Sequence, residues 1–368
     1  MWTISRMTFP FWRCALTERS NRSRKSALNA GLSSDGLTLS RPDDFHVHLR
    51  QGPALALYAR REAASFGRAM VMPNILPPVA NAETLAAYRQ AIVDGLPGNS
   101  DFVPLMTFKL LPGMSASLVR ACAAGGAIAG KYYPSGSTTN AADGPGDPDS
   151  VAEALDAMEE SGLVLSIHGE SPEAPSLERE GAFLSTLETI LARWPRLRVV
   201  LEHLSTREAV DFVRSGPERL GATITAHHLL FTIDDMVGAG LNPHLFCKPI
   251  IKSAGDRAAL RKAAFSASPK FFFGSDSAPH PRAAKESSSA PGGVYSAPTA
   301  IPALAGLFES EGCLDALESF VAGNGARFYR LPPPAGSIRL QREAWKVPGE
   351  IDGVVPMCAG AILAWSIA

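Results

Sequence analysis

Arg41-Pro42-Asp43-Asp44-Phe45-His46-Val47-His48-Leu49-Arg50 ends a run of β-type residues on two imidazoles and a guanidinium. Alternate residues of a strand share a face, so His46 and His48 point the same way and can bind one metal ion. Taken alone, a His-x-His pair describes a surface pair equally well. What makes the stretch decisive is that seven further strand-like runs follow it. Strands are predicted over 37–48, 68–74, 102–109, 127–134, 163–168, 198–203, 222–227 and 270–276. Helical patterns lie between many of them, over 54–66, 83–94, 150–161, 180–194, 206–214 and 256–267. Short apolar runs alternating with helices predict parallel strands, and eight of them predict a closed (β/α)8 barrel of the TIM type rather than an open sheet.

Outward from the barrel, residues 1–36 form a basic extension, 37–313 the barrel and 314–368 a small C-terminal appendage. The appendage combines a helix reaching Gly325, a Pro-rich break over Leu331–Pro334 and short strand-like pieces ending at Ile367. Residues 286–293 read as a long loop and 298–311 as a helix. The Ser-, Thr-, Gly- and Asp-rich segment 135–146 follows the fourth strand, where a barrel builds its active site, and can serve as a lid. The extension sets Arg6, Arg13, Arg19, Arg22, Arg24 and Lys25 against Glu18. It reads as a disordered tail or the product of an upstream start, with an organelle transit peptide as the alternative. Cytoplasmic location is the expectation.

Hydrophobic residues make up 46% and charged residues 19%, which fits a compact globular enzyme and excludes a disordered or fibrous chain. Lys plus Arg (35) and Asp plus Glu (36) nearly balance, so nucleic acid is not an expected partner. No apolar stretch is long enough for a membrane helix. Five scattered cysteines without a CxxC pair read as reduced thiols.

The remaining candidate ligands fall at strand ends. His168 ends the fifth strand, His203 the sixth and Asp276 the eighth, so with His46 and His48 they converge on the C-terminal mouth of the barrel. Imidazole nitrogen with carboxylate oxygen suits zinc, and four histidines exceed what one catalytic zinc needs. A second zinc would use the surplus if Lys131, on the fourth strand, bridges the pair. An ammonium beside two dications is repelled, so the expected species is a neutral amine that has taken up CO₂ as a carbamate. The plain alternative for a lone interior lysine is a salt bridge. Arg50 lies two residues beyond His48 on the same strand face and has a fork suited to a carboxylate, or to a salt bridge at the barrel rim. His227 and His228 read as supporting or packing residues, and His244 as structural.

Together Arg41–Arg50, Met72-Pro73-Asn74, Lys131-Tyr132-Tyr133-Pro134 with Thr138-Thr139-Asn140, His168-Gly169-Glu170, Leu201-Glu202-His203 and Gly274–His280 closely resemble type II dihydroorotase, an amidohydrolase family. The resemblance runs from about Leu37 to the C-terminus. It implies His46, His48 and Asp276 on one Zn²⁺, His168 and His203 on the other, and carboxylated Lys131 plus a hydroxide between them. It further implies that Arg50, Asn74 and His280 hold a substrate carboxylate, that Gly292 offers backbone contacts, and that Thr138 and Thr139 reach substrate from a mobile loop. A solvated turn is the other reading of those threonines. The implied reaction is reversible hydrolysis of dihydroorotate to N-carbamoyl-L-aspartate in pyrimidine biosynthesis, with Asp276 carrying the proton. The expected assembly is a homodimer. The rivals are a hydantoinase- or allantoinase-type enzyme and an inactive barrel that scaffolds a partner. The basic extension departs from the bacterial pattern, as does glycine at 292.

Overall fold

A computed structural model describes residues 32–33 and 36–368; the cations of the basic extension lie outside the described residues. Eight parallel strands follow one another in chain order, each hydrogen-bonded to the next: Asp43–Val47, Arg68–Val71, Val103–Lys109, Ala127–Tyr132, Val164–Ile167, Arg198–Leu201, Leu220–Ile224 and Phe271–Phe273. The eighth meets the first through main-chain bonds from Asp276 N to His46 O (2.8 Å) and from His48 N to Ser277 O (3.0 Å). The result is the (β/α)8 barrel.

Helices between the strands begin where polar side chains cap them. Asn81 accepts from Thr84 N and Ser253 from Asp256 N, both in reciprocal capping boxes, and Thr206 accepts from Ala209 N. The expected helices appear within a few residues of their predicted limits. An additional helix, Ala116–Ala124, separates the third and fourth strands.

Inside the barrel, Phe45, Met70, Leu105, Ala129, Val164, Val200 and Phe272 form one packed layer contributed by seven of the strands. The seventh strand offers Gly221, where an added Cβ would sit 2.8 Å from the Phe328 ring. That gap admits Phe328 and Tyr329 from the tail, and Tyr329 stacks on Phe45 at 4.9 Å between centroids. The floor is therefore closed by aromatic rings, and the polar groups are left to the opposite, C-terminal end.

The strand expected over 37–48 is two elements. Gly36–Ser40 leaves the barrel and pairs antiparallel with Ser337–Gln341, which in turn pairs with Ser366–Ile367. Only Asp43–Val47 joins the barrel. Pro42 lies between the two and has no N–H to offer a continuous ladder. The tail strand Ser337–Gln341 thus shares a sheet with residues that precede the barrel.

Candidate active site

The first barrel strand has a register irregularity between Asp44 and Val47. Such a bulge re-aims side chains, and here Phe45 packs into the barrel while His46 faces the pocket at its mouth. Asp44 Oδ1 accepts from His46 N (2.9 Å) and from Ser275 N (2.7 Å), tying the first strand to the segment that carries Asp276. His168 follows the fifth strand directly, His203 lies two residues past the sixth, and Asp276 three past the eighth. His203 and Asp276 both take left-handed backbone angles, with φ of 42° and 43°. Such angles are costly for residues other than glycine and aim these side chains at the pocket.

Five of the residues read as metal ligands, His46, His48, His168, His203 and Asp276, line that pocket. His48 Nε2 is 3.1 Å and His46 Nε2 3.5 Å from Asp276 Oδ1. His168 Nδ1 is 3.1 Å from His203 Nε2, and the His46 and His203 rings lie 5.0 Å apart. Lys131 is fully buried in the fourth strand, and its Nζ has no hydrogen-bond partner.

The outer nitrogens of three of these rings are already engaged. His46 Nδ1 meets Glu202 Oε2 (3.0 Å), His48 Nδ1 meets Asn74 Oδ1 (2.9 Å) and His168 Nε2 meets Glu170 Oε2 (2.8 Å). Each partner is an acceptor, so each outer nitrogen carries the proton and each inner nitrogen presents a lone pair. Glu202 is held in turn by Ser166 Oγ (2.5 Å) and Thr223 Oγ1 (2.6 Å). Burial pushes the His46, His48 and His203 imidazoles below their ordinary range, so they are neutral. Burial also pulls the Lys131 amine down to about 8, against the pull of Glu202 and Asp276. Asp276 is buried against these rings, and with the inner nitrogens unprotonated neither His46 nor His48 donates to its Oδ1.

Glu202 and Glu170 carry no role in a reading limited to ligand spacing. The signal was present: a carboxylate at the end of a buried β run needs a partner inside the fold.

Arg50 does not reach the pocket by strand alternation. The strand stops at Val47, and Arg50 has φ 62° in the following turn. Its Nε donates to Pro279 O (3.1 Å) and its Nη2 to His280 Nε2 (2.8 Å). His280 Nε2 is also 3.1 Å from Gly292 O, and one nitrogen cannot accept from Arg50 and donate to Gly292 at once. Asn74, besides holding His48, donates to Thr139 O (3.2 Å), and Asn140 donates back to Asn74 O (2.8 Å). The segment carrying Thr138 and Thr139 is thereby laid against the pocket, which both residues line. At Gly292 an added Cβ would meet Lys248 Cγ at 3.4 Å, ordinary contact, so space does not demand glycine.

His227, His228 and Cys247 form a second buried group. His228 is occupied at both nitrogens, by Thr225 Oγ1 (2.8 Å) and Pro249 O (3.2 Å), and burial pushes the Cys247 thiol up to about 12. That set is poorly prepared for a metal. His244 lies near the surface and pairs with Glu286 (3.0 Å). Among the described residues, no helix is long and apolar enough to cross a membrane.

A dihydroorotase of Pseudomonas aeruginosa is 46% identical over 343 residues, spanning 91% of this chain and 98% of that protein. The chain belongs to the dihydroorotase family. Solved dihydroorotases agree in structure. That of Campylobacter jejuni superposes with a TM-score of 0.85 at 35% identity, covering 92% of this chain and 99% of its own. That of Saccharomyces cerevisiae, in complex with 5-fluoroorotic acid, gives 0.85 at 33% identity, covering 91% and 98%. No family model matches the chain. Dihydroorotases are cyclic amide hydrolases, and this chain is an enzyme of that class.

Proposed function

We propose that the pocket hydrolyses the ring amide of dihydroorotate to N-carbamoyl-L-aspartate, and closes the ring in the reverse direction, as a type II dihydroorotase with two zinc ions. The observation that carries the metal reading is the proton inventory of the site. With their outer nitrogens protonated, His46 and His48 both direct lone pairs at one Asp276 oxygen, and the carboxyl could offer at most one hydrogen to the two of them. His168 presents a further lone pair toward His203, whose own Nδ1 is buried without a partner. Electron-rich atoms packed at such distances fit a cation among them.

His46, His48 and Asp276 would hold one zinc and His168 and His203 the other. Lys131 would complete the set: in its unprotonated form the amine adds CO₂ and releases a proton, giving a carbamate whose oxygens would help hold the metals. When bound, the zinc pair supplies an acidified water and a Lewis-acid contact for the amide carbonyl.

The chain's own residues do the rest. Arg50 and His280 receive the substrate carboxylate, which would replace their mutual contact with charge-assisted bonds. The pyrimidine carboxylate 5-fluoroorotic acid bound by the yeast relative is of the kind this pair would recognise. Asn74 and Glu202 orient the imidazoles. Asp276, ionised at neutral pH, accepts the proton of the attacking water and delivers it to the departing ring nitrogen. Thr138 and Thr139 cover the substrate, and Gly292 adds main-chain contacts.

Zinc content and dihydroorotate hydrolysis measured on one purified sample test the reading. About two zincs per chain, with activity lost on chelation, is the expected outcome. Full turnover by metal-free protein would overturn it.

A further inference from the structure

Lys285 ends the short helix Arg282–Lys285 and is buried, although among the described residues no carboxylate pairs with it. Its ammonium donates to Phe246 O (2.8 Å), Pro291 O (3.0 Å) and Gly293 O (2.8 Å). An ammonium has three N–H donors, and here three main-chain carbonyls take them. These carbonyls belong to two loops, one after the seventh strand and one after the eighth. The loops are joined directly as well, by Gly293 N to Phe246 O (2.8 Å).

Lys248, Gly292 and Gly293 of these loops line the pocket, and Gly292 O is the acceptor beside His280. Gly293 is packed so closely that a Cβ there would lie 2.5 Å from Ala278 O, so a small shift of either loop reaches the wall around His280. Burial lowers the Lys285 amine to about 8, and the positive Arg50 acts in the same direction. A costly buried charge is therefore spent on loop carbonyls next to the groups assigned to the substrate carboxylate.

We propose that Lys285 is a positioning residue for the carboxylate-binding wall of the pocket, acting through the main chain of residues 246–248 and 291–293. This rests on the reading that Arg50 and His280 hold the substrate carboxylate. Removing the ammonium leaves three carbonyls to find other donors, and charged hydrogen bonds of this kind make a loss of about tenfold in substrate binding the expected scale.

The experiment compares Lys285→Met, Lys285→Arg and Arg50→Met with the wild-type holoenzyme. The readouts are zinc content, kcat and KM for dihydroorotate, and amide hydrogen exchange at 291–293. Lys285→Met should keep its zinc, raise KM by about tenfold with a much smaller change in kcat, and exchange faster at 291–293. Lys285→Arg should recover part of the KM. A folded, zinc-replete Lys285→Met enzyme with wild-type KM overturns the inference. If Lys285→Met does not fold, Lys285→Gln decides, with a raised KM in support and an unchanged KM against. If Arg50→Met also leaves KM unchanged, the carboxylate reading itself fails. If only Arg50→Met raises KM, Lys285 alone is misassigned.

Discussion

His168 and His203 meet nitrogen to nitrogen, and neither ring contributes to the apolar core. His168→Ala and His203→Ala are each expected to lose one zinc and nearly all turnover while the fold persists. Full metal content with normal kcat in either variant would remove them from the ligand set. Lys131 distinguishes the two readings of a buried lysine. A carbamate appears as added mass of one CO₂ in the native protein and as density beyond Nζ, and Lys131→Ala should lose zinc and activity together. An active crystal form with full zinc sites and an unmodified Lys131 turned away from them would refute the bridge. For Arg50, replacement by Met should keep both zincs and weaken productive binding, with KM raised by tenfold or more and kcat less affected. Unchanged kcat/KM would assign the carboxylate to another group. That His46, His48, His168, His203 and Asp276 gather at one mouth was legible because strand ends and residue chemistry coincide. The route by which Arg50 arrives was not: a left-handed turn at a non-glycine residue leaves no mark in hydrophobic alternation.

The segment over 135–146 behaves as an element with its own fastenings. Ser135 N donates to Pro145 O (3.0 Å), Gly136 N to Ala141 O (3.0 Å), and buried Lys109 reaches Asn140 O (2.6 Å) and the Asp143 carboxylate. The pocket and the cleft beside it share His48, Arg50, Asn74 and Thr139 as lining, so this segment borders both. Replacing Thr138 and Thr139 together with Ala should lower kcat and leave zinc binding intact. An unaltered rate would make the segment a plain connection. Strands and most helices were readable from periodicity, since each buries one clear stripe. Ala116–Ala124 escaped because its alanines give little contrast between faces, and the 37–48 run because Leu37 and Leu39 continue the apolar alternation past Pro42 into a different sheet.

At the scale of the whole molecule, a barrel floor sealed by Tyr329 and a sheet shared by residues 36–40 and 337–341 hold the frame together away from the pocket. The site adds its own contribution only when occupied. Chelation should lower the melting temperature, since each zinc at a hundred times its Kd stabilises the native state by about 2.7 kcal/mol. A melting curve unmoved by chelation, in protein shown to have lost its zinc, would mean the ligands are held equally well without it. The left-handed backbone at His203 and Asp276 carries this division further. Glycine adopts that conformation without strain, so in metal-free protein His203→Gly and Asp276→Gly should be at least as stable as the matching Ala variants, despite glycine's greater freedom when unfolded. Two residues assigned to the chemistry are thus ones the scaffold would gladly exchange. A gene copy released from selection for turnover could drift at these positions with little resistance from folding, and a silent barrel could long outlast its catalysis.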